Sequence, residues 1–341
     1  MNQESDDLMD PIKLGIIGCG IATKQLHWQA LQKLRHKFEV AIVCNHTEPK
    51  AREFAQMAGG VPYVLDYHKL LQHPEVEAVD ITLPIHLNYQ ATKDALESGK
   101  HVFVEKPLAA NVDDGKKLVE FARRFPQVKM VAENYRHNPV FHKVKEYLNR
   151  GIIGKPYAVF WDIFHLIDPR RNKYAQTQWR IKHEYPGGFV FDGGIHNIAA
   201  LRLIFEDIVA GQAFTKSVNL MIGEMDSMSF QFATKNDVHG VFNFFASVQG
   251  MSKNELAILG KDGTLFLENQ ERIRITMNDK IQIDETVQTE NGFVEEFEAF
   301  YEAVRKNGEV ISTFSEACRD LEVMIGALES AKRWDELELN G

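Results

Sequence analysis

Between residues 12 and 132 short apolar runs alternate with stretches of helical spacing, and this rhythm restricts the fold more than any other feature. The runs stand at 12–17, 38–44, 61–64, 78–83, 101–104 and 128–132. Helical stretches fall at 23–36, where Leu26, Ala30, Leu31 and Leu34 recur at near-helical spacing, and at 49–57, 87–98 and 111–125. Asn111 is the expected N-cap of the last, with Asp114 at capping-box spacing. Strands alternating with helices in this way predict a parallel, doubly wound sheet. The near-continuous apolar character of the runs fits, because parallel strands are buried on both faces. Pro62 places the 61–64 run at an edge.

After about residue 135 the pattern changes. A helix is expected at 138–150, stopped by Gly151, then a long aromatic strand at 157–166. Residues 195–205 are apolar nearly all round, which predicts a buried helix. From 212 to 285 the chain is strand-like, with turn signals at Lys235-Asn236-Asp237, Gly250, Lys261-Asp262-Gly263 and Asn278-Asp279. That predicts a mostly antiparallel open sheet. Helices at 292–306 and 315–337 close the chain. A length of 341 residues suits two domains. The expected division is a tail at 1–10, a dinucleotide-binding domain at 11–135 and an α+β domain at 136–341.

With 39 basic and 48 acidic residues the net charge is −9, which argues against nucleic acid or an anionic membrane as partner. No apolar run reaches the roughly 18 residues of a membrane span. The polar, acidic start has no apolar signal-peptide core. Cys19, Cys44 and Cys318 are too few and too scattered for a disulfide framework or a zinc site, so a cytoplasmic protein without metal is expected.

Three places carry chemistry. Gly15-Ile16-Ile17-Gly18-Cys19-Gly20-Ile21-Ala22-Thr23 joins the first strand to the first helix. Gly18 suits a tight turn, and Gly20 lets the backbone approach a pyrophosphate at the helix N-terminus. Thr23 stands where a third glycine is usual. Next, Glu105-Lys106-Pro107 follows the fifth strand, at the sheet edge where ligands of open α/β sheets bind. Lys106 there can donate to a substrate oxygen or act as acid or base; a solvated Glu–Lys pair is the other reading, and a cis bond before Pro107 is plausible on either. Last, Asp192 and His196 stand four apart ahead of the apolar helix. On one helical face Asp192 could orient the imidazole and His196 could take a hydroxyl proton. A capping Asp192 and a core His196 remain the alternative.

Together these pieces resemble the glucose–fructose oxidoreductase / inositol dehydrogenase (Gfo/Idh/MocA) family over nearly the whole chain. Gly15 to Ala22, Glu105-Lys106-Pro107, Asn134-Tyr135-Arg136, Gly151-Ile152-Ile153-Gly154, Trp179-Arg180 and Asp192-Gly193-Gly194-Ile195-His196 carry the resemblance, in order and spacing. It implies an N-terminal Rossmann domain and a C-terminal domain whose sheet forms a subunit interface. It also implies catalytic roles for Lys106, Asp192 and His196. Substrate contacts fall on these three and on Tyr135, Arg136, Trp179 and Arg180. Cofactor contacts fall on Gly18, Gly20, Ile21, Ala22, Thr82, Leu83, Pro84, Glu105, Lys106 and Asn134. Where the family often has Thr-Pro-Asn-x-x-His, this chain has Leu83-Pro84-Ile85-His86-Leu87-Asn88.

The implied activity is hydride transfer between NAD(P) and a secondary hydroxyl of a sugar, sugar derivative or cyclitol. A non-catalytic dinucleotide-binding regulator and a glycosidase-type member that retains its NAD are the alternatives. The second strand ends in Val43-Cys44-Asn45-His46-Thr47, with Asn45 where NAD-specific domains place a carboxylate for the ribose. Asn45, His46 and Thr47 can meet a 2′-phosphate without repelling it, which favours NADP over NAD. Lys50 and Arg52 lie within reach, while Glu48 opposes. Finally, large apolar residues at 241–245 and 264–267 on a sheet with few helices to cover it predict a homodimer or homotetramer.

Overall fold

The computed structural model describes residues 9–333. The tail expected at 1–10 and the helix end expected at 334–337 lie, for residues 1–8 and 334–337, outside them. In chain order the elements begin with β1 (Ile12–Ile17), a π-helical turn (Thr23–His27) running into α1 (Trp28–Lys33), β2 (Phe38–Cys44) and α2 (Glu48–Met57). Then come β3 (Tyr63–Val64), α3 (Tyr67–Leu71), β4 (Ala78–Ile81), α4 (Ile85–Glu97), β5 (His101–Glu105), α5 (Val112–Ala122) and β6 (Lys129–Ala132). They are followed by α6 (Asn134–His137), α7 (Pro139–Asn149), β7 (Pro156–Phe164), α8 (Gln178–Ile181), α9 (Gly188–Phe205) and β8 (Ile208–Lys216). After a 3₁₀ turn at Leu220–Ile222 come β9 (Ser227–Thr234), β10 (His239–Phe245), β11 (Lys253–Gly260), β12 (Thr264–Glu268), β13 (Arg272–Met277) and β14 (Lys280–Thr286). The helices α10 (Phe293–Lys306) and α11 (Phe314–Ser330) complete the order.

The chain divides into two compact units. The first runs to Ala109 and includes Asp113–Asn134 and Phe293–Cys318; the second holds Ala110–Val112, Tyr135–Gly292 and the chain from Arg319 on. The switch at Asn134/Tyr135 falls beside the division expected from sequence. The placement of residues 293–318 differs from the expectation, and the cause is aromatic packing. On α10, Phe297 meets Phe38 at 5.6 Å and Phe103 at 4.6 Å between ring centroids, and all three rings are buried. An amphipathic helix joins whichever sheet its apolar face fits, and chain distance does not forbid it.

In the first unit six strands pair in the order β3-β2-β1-β4-β5-β6, all parallel. The order reverses between β1 and β4, the place where open α/β sheets hold ligands outside their carboxyl ends. Ile17 at the end of β1 pairs with both Cys44 and Ile81, so three strands end level beneath the glycine loop.

In the second unit eight strands pair in the order β14-β13-β12-β11-β7-β10-β9-β8. Only β7 and β10 run parallel; the other neighbours are antiparallel. The apolar residues expected at 241–245 and 264–267 divide between the two faces of this sheet. Phe242, Phe244, Leu265 and Leu267 are buried. Alternate residues point to the other side of the pleat. Register places Val241, Phe160, Ala257 and Phe266 side by side on that second face, where Phe160 is 43% exposed. The apolar helix starts at Gly188, seven residues before the expected 195, because Gly187 in the left-handed region begins the winding.

Candidate active site

In the first unit the glycine loop crosses the carboxyl ends of β1 and β4. Gly18 has φ +104°, and a Cβ there would stand 2.4 Å from the Thr82 carbonyl oxygen, so only glycine fits. A Cβ on Gly20 would meet nothing within 4 Å. The backbone at Gly20 therefore faces open space, and helical backbone starts at Ile21. That arrangement fits a pyrophosphate, with Ile21 and Ala22 half-buried beside it. Thr23 explains why a third glycine is unnecessary. It is buried in the π-helical turn, and its hydroxyl donates to the Gly18 carbonyl at 2.7 Å. The Thr82 hydroxyl reaches the same carbonyl at 2.7 Å, so Thr82 braces the loop. Leu83 and Pro84 are half-buried after β4.

Asn45 is also a brace. Its Oδ1 accepts from the Cys19 N–H at 3.1 Å, and its Nδ2 donates to the Thr47 carbonyl at 3.2 Å. His46 is exposed and Thr47 half-buried. Arg52, expected within reach of a 2′-phosphate, pairs with Glu48 at 2.5 Å and offsets that opposing charge. Cys19 is no nucleophile: burial pushes its thiol up to about 12.

Lys106 stands half-buried directly after β5, and the Lys106–Pro107 bond is cis. Asn88, which occupies the position of the family's later histidine, is fully buried. It donates to the carbonyls of Glu105 at 2.9 Å and Pro107 at 3.0 Å, one on each side of Lys106. Glu105 accepts from His27, which also meets Asp80. Sequence reasoning missed Asn88, His27 and Asp80. The signal available was a histidine four residues after Thr23 and an aspartate inside an otherwise apolar strand. Asn134 is buried at the start of α6.

Glu296 of α10 shares this interior. It is fully buried, and neither carboxylate oxygen has a hydrogen-bond partner among the described residues. Burial raises its pKa well above the ordinary range; the His27 charge opposes this and the charges of Glu105, Glu133 and Asp80 add to it. Its folded value exceeds its unfolded one, so its contribution is full below the ordinary carboxyl range and is lost as pH rises toward the raised value. The slope is up to about 1.4 kcal/mol per pH unit. Glu296→Gln removes that slope, so urea titrations should show the variant gaining on the parent from about pH 5 to pH 8. A difference that stays flat with pH would mean an ionised Glu296.

In the second unit Asp192 and His196 both lie on α9, and Asp192 is its fifth residue, which excludes the N-cap reading. Asp192 accepts from Arg180 Nε at 2.7 Å. Trp179 stacks under the same guanidinium at 4.0 Å. Arg180 of α8 thus holds one oxygen of the carboxylate expected to serve His196. His196 is half-buried and stacks on Tyr135 at 4.9 Å; the Tyr135 hydroxyl accepts from Gln270 at 2.6 Å. Arg136, expected as a substrate contact, is buried and paired. Its Nη2 donates to both oxygens of buried Asp320, at 2.6 and 2.8 Å, and Arg202 joins the same carboxylate. Tyr185, which sequence reasoning missed, is buried beside Asp192. Burial and that charge raise its hydroxyl pKa, and the hydroxyl has no hydrogen-bond partner among the described residues. Among the described residues no three of His, Cys, Asp and Glu are placed to hold a metal ion, and no helix is long and apolar enough to cross a membrane.

Two family models match the chain. One, described as oxidoreductase family, NAD-binding Rossmann fold, covers residues 12–135; the other, oxidoreductase family, C-terminal alpha/beta domain, covers 145–339. An uncharacterized protein of Saccharomyces cerevisiae is 32% identical over 265 residues, 76% of this chain and 75% of its own length. A dTDP-3,4-didehydro-2,6-dideoxy-alpha-D-glucose 3-reductase of Actinomadura kijaniata is 30% identical over 199 residues, 57% of this chain and 56% of its own. The crystal structure of an oxidoreductase from Thermotoga maritima matches with a TM-score of 0.88 and 37% identity, covering 94% of this chain and 97% of that one.

Proposed function

Because the chain belongs to the Gfo/Idh/MocA oxidoreductase family, we propose that it passes a hydride between NAD(P) and a secondary hydroxyl, or the matching ketone, of a sugar, sugar derivative or cyclitol. The observation that carries this reading is Lys106, held from both sides by Asn88 at the carboxyl edge of the sheet that also carries the open glycine loop. The sugar reductase among its relatives supports the substrate class. Bound nicotinamide supplies the hydride acceptor or donor. Lys106 donates to the reacting oxygen and stabilises its developing charge. His196, steadied by the Tyr135 ring, takes the hydroxyl proton in the oxidative direction. Asp192, with Arg180, supplies charge beside it, and Trp179 gives substrate a flat apolar surface. The test is a screen of sugars and inositols with both cofactors, following the absorbance of reduced nicotinamide. Turnover of a polyol is the expected result; cleavage of a glycoside without net cofactor reduction would replace the reading.

NADP is the favoured cofactor. No carboxylate stands at position 45, and His46 and Thr47 are accessible to a 2′-phosphate. The expected ratio of kcat/KM favours NADP, and a tenfold preference for NAD, about 1.4 kcal/mol, would reverse this. Asn45→Asp keeps an acceptor for Cys19 and should move the ratio toward NAD.

A reducing, cytoplasmic setting fits the three buried cysteines. The open face bearing Val241, Phe160, Ala257 and Phe266 suits a second copy of the chain, giving a homodimer or homotetramer. Light scattering at micromolar concentration should return a multiple of 38.9 kDa; a monomer mass would oppose it.

A further inference from the structure

Glu105, the residue before Lys106, accepts from His27 Nε2 at 3.1 Å. The other ring nitrogen of His27 stands 3.0 and 2.9 Å from the two oxygens of Asp80. A neutral imidazole has one N–H and serves one carboxylate; an imidazolium has two and serves both. His27 and Asp80 are fully buried, so the ring is held where water cannot substitute. The π-helical turn at Thr23–His27 brings the ring under β4 and β5. Phe103 and Phe297 pack on it at 5.8 and 5.3 Å. The charged or titratable groups that act on it are Asp80 from β4, Glu105 from β5 and Glu296 from α10, and Glu133 after β6 acts in turn on Glu296. Burial alone would discharge the ring, but Asp80 and Glu105 outweigh it and raise its pKa well above the usual histidine value.

We propose that His27 is a positioning residue for Lys106: anchored by Asp80, it holds the Glu105 carboxylate and, with Asn88 on the backbone, sets where the Lys106 ammonium stands and what charge it faces. This rests on the reading of Lys106 given above. It adds that the lysine is tuned from inside the sheet, by a group that touches neither substrate nor cofactor. Replacing His27 leaves the Glu105 charge uncompensated one residue from Lys106.

The test uses the full chain with its lysines ¹³C-dimethylated and NADPH as the probe ligand. The Lys106 signal is assigned by its loss in Lys106→Arg. In His27→Gln that signal should move, while the Lys100 signal stays and NADPH still binds. An unmoved Lys106 signal in folded His27→Gln overturns the proposal. Should that variant fail to fold, Asp80→Asn removes the anchor with less change of volume and carries the same expectation. Independently, ¹⁵N spectra of the unmodified chain should show both ring nitrogens of His27 protonated at pH 7; a singly protonated ring overturns the proposal without any variant. Full turnover in Lys106→Ala would defeat the reading of Lys106 while leaving these spectra as they are, so the two failures are distinct.

Discussion

Lys106→Ala should lower kcat by about 10²–10³ while the protein still folds and binds dinucleotide. The magnitude is that of removing one positioned donor from an oxygen that gains charge in the transition state. Folding should survive because Lys106 is half-buried. The turn around it is fixed through other groups, the Glu105 and Pro107 carbonyls on Asn88 and the Glu105 carboxylate on His27. The check is steady-state kinetics on the substrate returned by the screen, beside titration of protein fluorescence with NADPH. Turnover near that of the parent would remove Lys106 from the chemistry.

Two glycine variants separate the fold of the cofactor loop from its ligand. Gly18→Ala puts a Cβ 2.4 Å from the Thr82 carbonyl in a left-handed backbone. Strain of this kind costs about 1–3 kcal/mol, and the loop must leave the strand ends to relieve it. Both the urea midpoint and dinucleotide affinity should fall, the affinity by about 10–100-fold. Gly20→Ala puts its Cβ into open space. Its urea midpoint should match the parent's, yet dinucleotide binding should weaken because the methyl group takes room the pyrophosphate needs. Unchanged binding in Gly20→Ala would place the pyrophosphate elsewhere.

Much of this was legible in the sequence because the signals are local. Alternating apolar runs specify parallel strands through burial on both faces, and all six strands of the first sheet stand where the runs are. Gly18 and Gly20 are read from short-range geometry, and so is the edge position of Lys106. What escaped depends on distant partners. Nothing near residue 297 says that Phe297 packs on Phe38 and Phe103. Nothing near Arg136 says that Asp320, 184 positions away, takes its guanidinium. Asp192 and His196 share a helix as their spacing suggests, and the Arg180 contact to that carboxylate comes from another helix. His27 carried no motif, because a buried imidazole becomes informative only once Asp80 and Glu105 are seen on either side of it.

The central claim is direct hydride transfer to nicotinamide, and deuterium tests it most simply. A polyol returned by the screen, labelled at its carbinol carbons, is incubated with enzyme and oxidised cofactor, and the reduced cofactor is weighed by mass spectrometry. The account predicts reduced cofactor one deuterium heavier, released in step with ketone. Reduced cofactor without the label, or a product formed while no cofactor is released in reduced form, would contradict it.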